Sequence, residues 1–450
     1  MTTPQGPPAF LSGWGRTAPT PADVRRPRST AELAALVADP APRGLIARGL
    51  GRAYGDAAQN AGGLVIDCTA LTSWRLDAET GVVTAAAGVG LHELMTALVP
   101  RGWFVPVTPG TRHVTVGGAV AADVHGKNHH VDSSFGAHLR SLDLVTADGA
   151  VRTLRPGDPL FHATVGGMGL TGVIAQAEFG CVPVETSRML VDVRRTTGLD
   201  DTLTEMAAAD GRHRYTVAWI DLLAGGARTG RGVLTLGDHA RRADLPGTAG
   251  DPLAFAPRTR LSAPRRLPGG LLNPVTVRAF NEVWYRRAPR AAHGTIQHIA
   301  PFFHPLDSVA DWNRIYGPRG FVQYQFVVPD GAEETLRHIV NRLARAGVVS
   351  FLTVLKRFGP GTPAPLSFPM PGWTLALDIP VGRPGLAGLL RGFDERVAAA
   401  GGRVYLAKDS RLNAALLPAM YPRLAEWRRI RHDVDPHGVF RSDLARRLDL

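Results

Sequence analysis

The sequence predicts an α+β protein in two parts, on three observations. Up to about residue 186, short strand-like segments alternate with short helices across loops rich in glycine. Beyond that point glycine loops become sparser. Longer strand-like segments appear instead (MLVDVRRT, RYTVAWIDLL, GFVQYQFVV and WTLALDIPV), as expected of an antiparallel sheet. Finally, 450 residues exceed what one core accommodates, roughly 250–300 residues at most.

Taken in order, residues 29–38 (STAELAALVA) predict a helix, with Ser29 and Glu32 at capping-box spacing ahead of one apolar face. Residues 44–60 predict a short strand followed by a glycine loop. Segments 62–71 and 80–89 predict strands, and 91–98 a helix halted near Pro100. Residues 141–154 read as a hairpin turning at Asp148-Gly149, and 160–179 as a glycine-broken turn leading into a strand. In the second part, helices at 332–346 and 385–399 interleave with the sheet. Residues 413–432 read as helical and 435–443 as a turn. Residues 256–290 stand apart, with eight arginines and one acid, Glu282, among prolines and scattered large apolar residues. They read either as a mobile surface loop or as a flap that meets an anionic lipid surface.

Composition narrows the function classes. No apolar run of 18 residues is present, so no membrane-spanning segment is expected. The N-terminal stretch has no basic start followed by an apolar run, so no export signal of that kind is expected. Cys68 and Cys181 are isolated, which suits a reducing compartment. The net charge of +12 would fit nucleic acid, a membrane surface or a phosphorylated ligand. The arginines are spread along the chain without a binding module or an aromatic stacking pattern, which argues against nucleic acid. Of 51 basic residues 48 are arginine, leaving Lys127, Lys356 and Lys408. Arginine-rich codon usage explains the bias. Lysines that persist through it can mark places where a compact charge with a movable pKa is needed.

Lys127 lies in HGKNHH, residues 125–130. A metal site is disfavoured there. The histidines lack a converging spacing, His129 and His130 are adjacent, and Lys127 would repel a cation. The alternative is a cofactor pocket, because three glycine-rich loops occur in the same part: ARGLGRAYGD (47–56), PGTRHVTVGGA (109–119) and ATVGGMGLTG (163–172). None is a Walker A loop, and Gly49, Gly51 and Gly55 do not match GxGxxG. Bare backbone amides on three loops suit a pyrophosphate and a large planar ring, a dinucleotide held outside a Rossmann fold.

These loops, with VHGKNHH and VGGMGLTGVI, resemble the FAD-binding (PCMH-type) domain of the vanillyl-alcohol oxidase superfamily. From about residue 11 to the C-terminus the likeness is closer. LSGWGRTAP, RGLGRAYGDAAQNAGGLVID, HGKNHH followed by SFG, YGPRGFVQYQFVVP, APLSFPMPGW, AKDSR and DLARRL are similar to the flavoproteins that oxidise a polyprenylphosphoryl ribose in actinobacterial cell-wall synthesis. The resemblance implies an FAD-binding domain over 11–186 and a substrate-binding domain over 187–402 carrying the mobile basic flap 256–290. The C-terminal segment 403–450 would return to the FAD-binding domain. It implies oxidation of the ribose 2′-hydroxyl of decaprenylphosphoryl-β-D-ribose to a ketone, which a separate NAD-dependent keto-reductase returns as the arabinose epimer for arabinan synthesis. It also implies a cytoplasmic protein in peripheral contact with the membrane, the periplasmic side being the alternative.

Carried over residue by residue, the resemblance places Arg48, Gly49, Leu50, Gly51, Arg52, Tyr54 and Gly55 in the first cradle. Gly110, Thr111, Thr115, Gly117, Gly118 and Ala122 follow in the second, and Gly167, Gly172 and Val173 flank the third. His125, Gly126, Asn128, Tyr405 and Lys408 complete the flavin contacts. Related sugar and alditol oxidases have a covalently flavinylated histidine where this chain has Arg52, so FAD should be non-covalent. Lys408 is the candidate cation beside the flavin, His125 the base or hydroxyl-orienting group, and Tyr54 a third member of the reacting centre. Lys127, Asn313, Tyr316, Gln323, Gln325, Lys356, Thr374 and Ala376 are the expected substrate contacts. Family members often carry a cysteine at the Ala376 position and an asparagine at that of Thr374. His298 and His304 are expected to be structural, His129 and His130 to hydrogen-bond their loop, and Trp14 to be a packing anchor or flavin neighbour. The competing reading is a soluble sugar-lactone or alditol oxidase of the same superfamily.

Overall fold

The computed structural model of the protein describes residues 8–247, 250–259, 261–265 and 267–450. Arg260 and Arg266 of the basic stretch, and residues 1–7 of the N-terminal stretch, lie outside the described residues.

Three sheets organise the chain. The first has four strands, Ala9–Leu11, Thr20–Arg25, Leu64–Asp67 and Leu45–Arg48, with the last three mutually parallel. The second is antiparallel, in the order Trp74–Asp77, Val82–Ala86, Val173–Gly180, Leu139–Val145 and Val151–Leu154. The third has eight antiparallel strands: Ala291–His298, Arg188–Thr196, Gly232–His239, Tyr215–Ile220, Thr353–Phe358, Gly372–Pro380, Phe321–Pro329 and Arg403–Val404. The mixture of helices with these sheets is the α+β architecture the sequence predicts.

Most local expectations have a visible cause. The first helix runs Thr30–Ala38, and the Ser29 hydroxyl accepts from the Glu32 amide at 3.2 Å. The Leu91–Leu98 helix ends in a 3-10 turn at Pro100. The hairpin turns at Gly149 with φ +75°. Three differences stand out. The 160–179 segment opens with a helix, Pro159–Thr164, before its glycine turn. The 413–432 stretch is broken into Leu417–Met420 and Leu424–Val434. Two fifths of the 256–290 stretch is a helix, Pro274–Arg287, capped by Asn273, whose side chain accepts from the amides of Val275 and Thr276. That helix lacks a conventional apolar stripe because Val277 and Asn281 are its buried residues.

The C-terminal segment packs directly on the first glycine loop. The Tyr54 amide donates to the Ala407 carbonyl at 3.0 Å. A Cβ on Gly55 would lie 1.8 Å from the Asp409 carbonyl oxygen, so no side chain fits there. Arg447, in the closing Asp443–Leu448 helix, bridges Asp56 and Asp409 at 2.8 Å each. The Asp409 side chain is 1% exposed, so removing its cation leaves a charge buried and unpaired. Arg447 itself is a quarter exposed, which moderates the loss. Arg447→Met should therefore destabilise the protein by about 2–3 kcal/mol. A denaturant midpoint equal to that of the wild type would show that the bridge does not hold the segment.

Candidate active site

A cavity of about 850 Å³ lies between the glycine loops and the inner face of the eight-stranded sheet. Gly49, Leu50, Gly51 and Arg52 line it from the first loop, Gly110, Thr111, Thr115, Gly117 and Gly118 from the second, and Gly172 from the third. The first two loops touch each other. A Cβ on Gly49 would come within 2.2 Å of Thr115 Oγ1, which accepts from the Gly118 amide at 3.2 Å. Gly110, in contrast, has open space where its Cβ would be. Its bareness serves no internal packing and leaves its backbone reachable from the cavity.

Two buried polar atoms in the wall have no partner among the described residues, Arg52 Nε and His125 Nδ1. Buried groups of this kind are ordinarily hydrogen-bonded. Together with the open glycine cradle they fit a polar ligand of dinucleotide size, at the upper end of the usual pocket range of about 300–1,000 Å³. The Arg52 guanidinium lies 3.8 Å from the ring centre of Trp14, another wall residue. The Arg48 guanidinium donates to the carbonyls of Ser12 and Ala58, so its charge holds the loop in shape.

The three lysines all line this cavity. Lys408 Nζ stands 3.8 Å over the Tyr54 ring. Lys127 donates to the Phe302 carbonyl and lies 4.4 Å from the centre of that ring. Burial pulls Lys356 down to about 8 and, with the Lys356 charge nearby, Lys127 to about 7. Burial also lowers Lys408, while Asp378 opposes the shift. Burial drives the Asp378 carboxyl up, against stabilisation from Gln323, Lys408 and Tyr316. Gln323 Nε2 donates to Asp378 Oδ1 at 2.5 Å, and the Tyr316 hydroxyl approaches Oδ2 at 3.4 Å. Burial raises the Tyr54 phenol well above its ordinary range, with Asp378 adding to the shift, so it is a neutral donor.

His125 is enclosed by Phe358, Phe368 and Tyr405. Burial pushes it well below the usual imidazole range, and Lys356, His129 and Lys408 push it further. The Gln325 amide lies 2.9 Å from its Nε2. A neutral ring held in this way can orient a hydroxyl, but it is a weak proton acceptor. The other histidines of HGKNHH diverge. His129 packs on Phe358 with neither nitrogen partnered among the described residues, and is pushed down to about 3, chiefly by burial. The expected loop hydrogen bond is thus absent for His129, while His130 Nε2 meets the His213 carbonyl at 2.9 Å. His304 lies 2.8 Å from the Thr108 hydroxyl and is structural.

Gln323, Gln325, Ala376, Ala122, Gly126 and Tyr405 also line the cavity, with the Tyr405 hydroxyl committed to the Ala122 carbonyl at 2.7 Å. Seven expected site residues do not line it. Gly55 is a packing glycine against Asp409, and Gly167 is another, 2.2 Å from the Ala163 carbonyl at its would-be Cβ. Val173 belongs to a core strand. Asn128 donates to Pro106 and Asp132, and Asn313 donates to the Trp14 carbonyl. Tyr316 stacks on Phe321 and reaches the site through Asp378. Thr374 supports Gln325 from behind, at 3.3 Å, and donates to the Phe326 carbonyl. Asp378 is the residue sequence reasoning missed. Its signal was a lone carboxylate within the apolar strand GWTLALDIP.

The cavity continues along the sheet face as a mainly apolar arm walled by Val193, Val217, Trp219, Val233 and Val354, with Thr235 and Gln297 among them, and reaches Trp284 and Arg287.

A glycine cradle with polar wall atoms, opening onto a sheet that carries buried ionisable groups, fits an FAD-dependent oxidoreductase. Comparison with known proteins agrees. Residues 21–155 match the "FAD binding domain" family, and residues 327–448 match the "D-arabinono-1,4-lactone oxidase" family. The chain is 47% identical to decaprenylphosphoryl-β-D-ribose oxidase of Mycolicibacterium smegmatis, over 98% of this chain and 97% of that protein. It is 25% identical to an alditol oxidase from a Streptomyces species over 97% and 98% of the two chains. It is 35% identical to L-gulono-1,4-lactone dehydrogenase of Mycobacterium tuberculosis over 39% and 41%. The chain belongs to the decaprenylphosphoryl-β-D-ribose oxidase family.

By the resemblance to sugar and alditol oxidases, Arg52 takes the place in the first loop of their flavin-linking histidine, and a guanidinium offers no such bond. Acid precipitation should therefore leave the flavin in the supernatant. Flavin retained on the precipitated chain would overturn this assignment.

Proposed function

We propose that this chain oxidises the 2′-hydroxyl of a polyprenylphosphoryl ribose, decaprenylphosphoryl-β-D-ribose, to the 2′-ketone. The observation that carries the reading is one continuous cavity with three chemistries in series: a glycine cradle, a cluster of lysines and an apolar arm. These suit a flavin dinucleotide, a sugar phosphate and a prenyl chain in turn. The name of the Mycolicibacterium relative supports that substrate. A soluble alditol oxidase would have no use for the apolar arm.

The reaction removes a hydride from the sugar carbon and a proton from its hydroxyl, and leaves a carbonyl. FAD, when bound, supplies the hydride acceptor. Gly49, Gly51, Arg52, Gly110, Thr115, Gly117 and Gly118 would hold it. Lys408 is the proton acceptor. Enclosure favours its neutral amine, and the charge it gains then stands where negative charge develops. His125, kept neutral, orients the hydroxyl through its unpartnered Nδ1, while its Nε2 is held by the Gln325 amide. Tyr54 packs its ring under Lys408 and fixes the amine's direction. Asp378 acts through Gln323 and through its field on Lys408 and is a positioning residue. Lys127 and Lys356 attract the phosphate.

To give an epimer the ketone would be reduced on the opposite face, a step the resemblance assigns to a separate NAD-dependent reductase serving arabinan supply for an actinobacterial wall. No helix among the described residues is long and apolar enough to cross a membrane. A lipid-borne substrate then asks for peripheral contact with the bilayer from the cytoplasmic side.

The test of the reading is the visible spectrum of the purified protein under anaerobic conditions. Polyprenylphosphoryl ribose should bleach the oxidised flavin band. Bleaching by free alditols or lactones alone would favour the soluble oxidase. Lys408→Met should keep its flavin but lose about 10²–10⁴-fold in the rate of bleaching, the usual worth of a proton acceptor.

pH separates the roles. Lys408 works as the neutral amine, so activity rises with pH through its pKa. The Asp378 carboxylate holds that pKa up. Asp378→Asn should thus move the acid limb of the kcat profile to lower pH, and an unmoved limb would remove Asp378 from the mechanism. Lys127 and Lys356 bind phosphate only when protonated, so KM should rise as pH climbs through about 7 to about 8. A KM flat across that window would deny them the phosphate.

A further inference from the structure

The Pro274–Arg287 helix is anchored along one stripe. Val277 and Asn281 are buried, the Asn281 amide donates to Asp221 at 2.8 Å, and the Tyr285 hydroxyl donates to the Thr196 carbonyl at 3.1 Å. These positions are four residues apart and share a face. Away from that stripe Val275 is 75% exposed and Val283 65%, with Phe280 and Trp284 nearly half exposed beside them. Clustered large apolar side chains in water mark an interaction surface. Arg278, Arg286, Arg287 and Arg290 are exposed around them.

A second cavity of about 370 Å³ lies against the same helix, walled by Arg195, Arg228, Arg231 and Arg286 with Tyr285 and Glu282. Glu282 pairs with Arg231 at 2.5 Å and with Arg286 at 2.6 Å, and Arg231 also meets Asp221 at 2.9 Å. Arg195 lies 5.3 Å from the Tyr285 ring centre, and neither it nor Arg228 forms an ion pair among the described residues. Two carboxylates therefore answer four guanidiniums. Such a pocket suits a phosphate, which guanidiniums grip in bidentate fashion.

We propose that this arginine pocket takes the headgroup phosphate of one anionic phospholipid, seating the Pro274–Arg287 helix in the bilayer interface beside the mouth of the oxidation cavity. The inference rests on the peripheral membrane contact proposed above and adds its site and its ligand. Charge and apolarity point to a lipid together. A free anion or a nucleic acid would leave Val275 and Val283 without a role, whereas a phospholipid carries its phosphate directly above acyl chains. Trp284 and Arg287 belong both to this helix and to the end of the apolar arm. A prenyl chain can then pass from the bilayer into the arm without crossing water.

The test is flotation of the full chain with vesicles of phosphatidylcholine alone and with added phosphatidylglycerol. Wild type should float with the anionic vesicles and scarcely with the neutral ones. Arg195→Gln with Arg228→Gln should weaken anionic binding roughly twenty-fivefold, about fivefold per basic residue. Val275→Asp with Val283→Asp should abolish it. Arg228→Gln alone, on an exposed turn, keeps the test open if the double variant misfolds, with about a fivefold loss expected. Flotation of the arginine variants at the wild-type level, or equal wild-type binding to both vesicles, would overturn the headgroup site. So would retention on a polynucleotide through the same arginines in preference to vesicles. The same samples are assayed with detergent-dispersed polyprenylphosphoryl ribose. Oxidation without flotation overturns the dock and leaves the oxidase reading standing. Flotation without oxidation supports the dock and overturns the oxidase reading.

Discussion

The site depends on one close contact, the packing of residues 405–410 onto the first glycine loop. Gly55 leaves room for the Asp409 carbonyl, and the Tyr54 amide is tied to Ala407. Lys408 lies between these two fixed points, and its amine stands over the Tyr54 ring. Arg447 ties the closing helix to both partners of the contact, Asp56 and Asp409. The loop and the lysine, more than 350 residues apart in sequence by the numbers of Tyr54 and Lys408, are thereby one structural unit. The loop and the lysine therefore face one cavity from a single rigid contact.

Given that unit, the three lysines follow a simple logic. An arginine in the same wall would stay protonated at any working pH. A lysine enclosed with other cations gives up its proton readily, and so can serve as acceptor or as anion ligand according to what occupies the cavity. The gradient among them is physical. Lys356 is shifted by burial alone, Lys127 by burial and the charge of Lys356, and Lys408 by burial against the opposing field of Asp378. Of the three, Lys408 alone has a carboxylate opposing the shift, so its proton affinity answers to a neighbouring residue as well as to burial.

Much of this was legible in the sequence, and the exceptions have causes. The glycine loops, the Asp148-Gly149 hairpin and the capped first helix are local features and came through. The Pro274–Arg287 helix did not, because its contacts on the sheet edge run through Asn281 and Tyr285 and its apolar residues face outward. Gly55 and Gly167 look like cradle glycines in sequence but are bare for packing against backbone, a distinction only a would-be Cβ reveals. Asn128, Asn313 and Tyr316 sit within site motifs, yet their polar groups face other protein groups. Asp378 was hidden for the opposite reason. It lies on a strand of apolar residues, and its importance comes from the neighbouring strand, where Gln323 is its registered partner.

The strand that carries Asp378 also carries Ala376, where the resemblance leads one to expect a cysteine. Ala376 faces the cavity two residues before it, in register with Gln325. A thiol there would add a nucleophile to the wall, but the oxidation needs only a hydride acceptor, a proton acceptor and donors that fix the hydroxyl, all of which come from elsewhere. The wall does contain one thiol, Cys68, which burial raises to about 12. At that value it stays protonated and unreactive. On the proposed mechanism, the reaction would rest on Lys408, His125 and Asp378, and capture of an electrophile would need a nucleophile at a position that this chain fills with a methyl group.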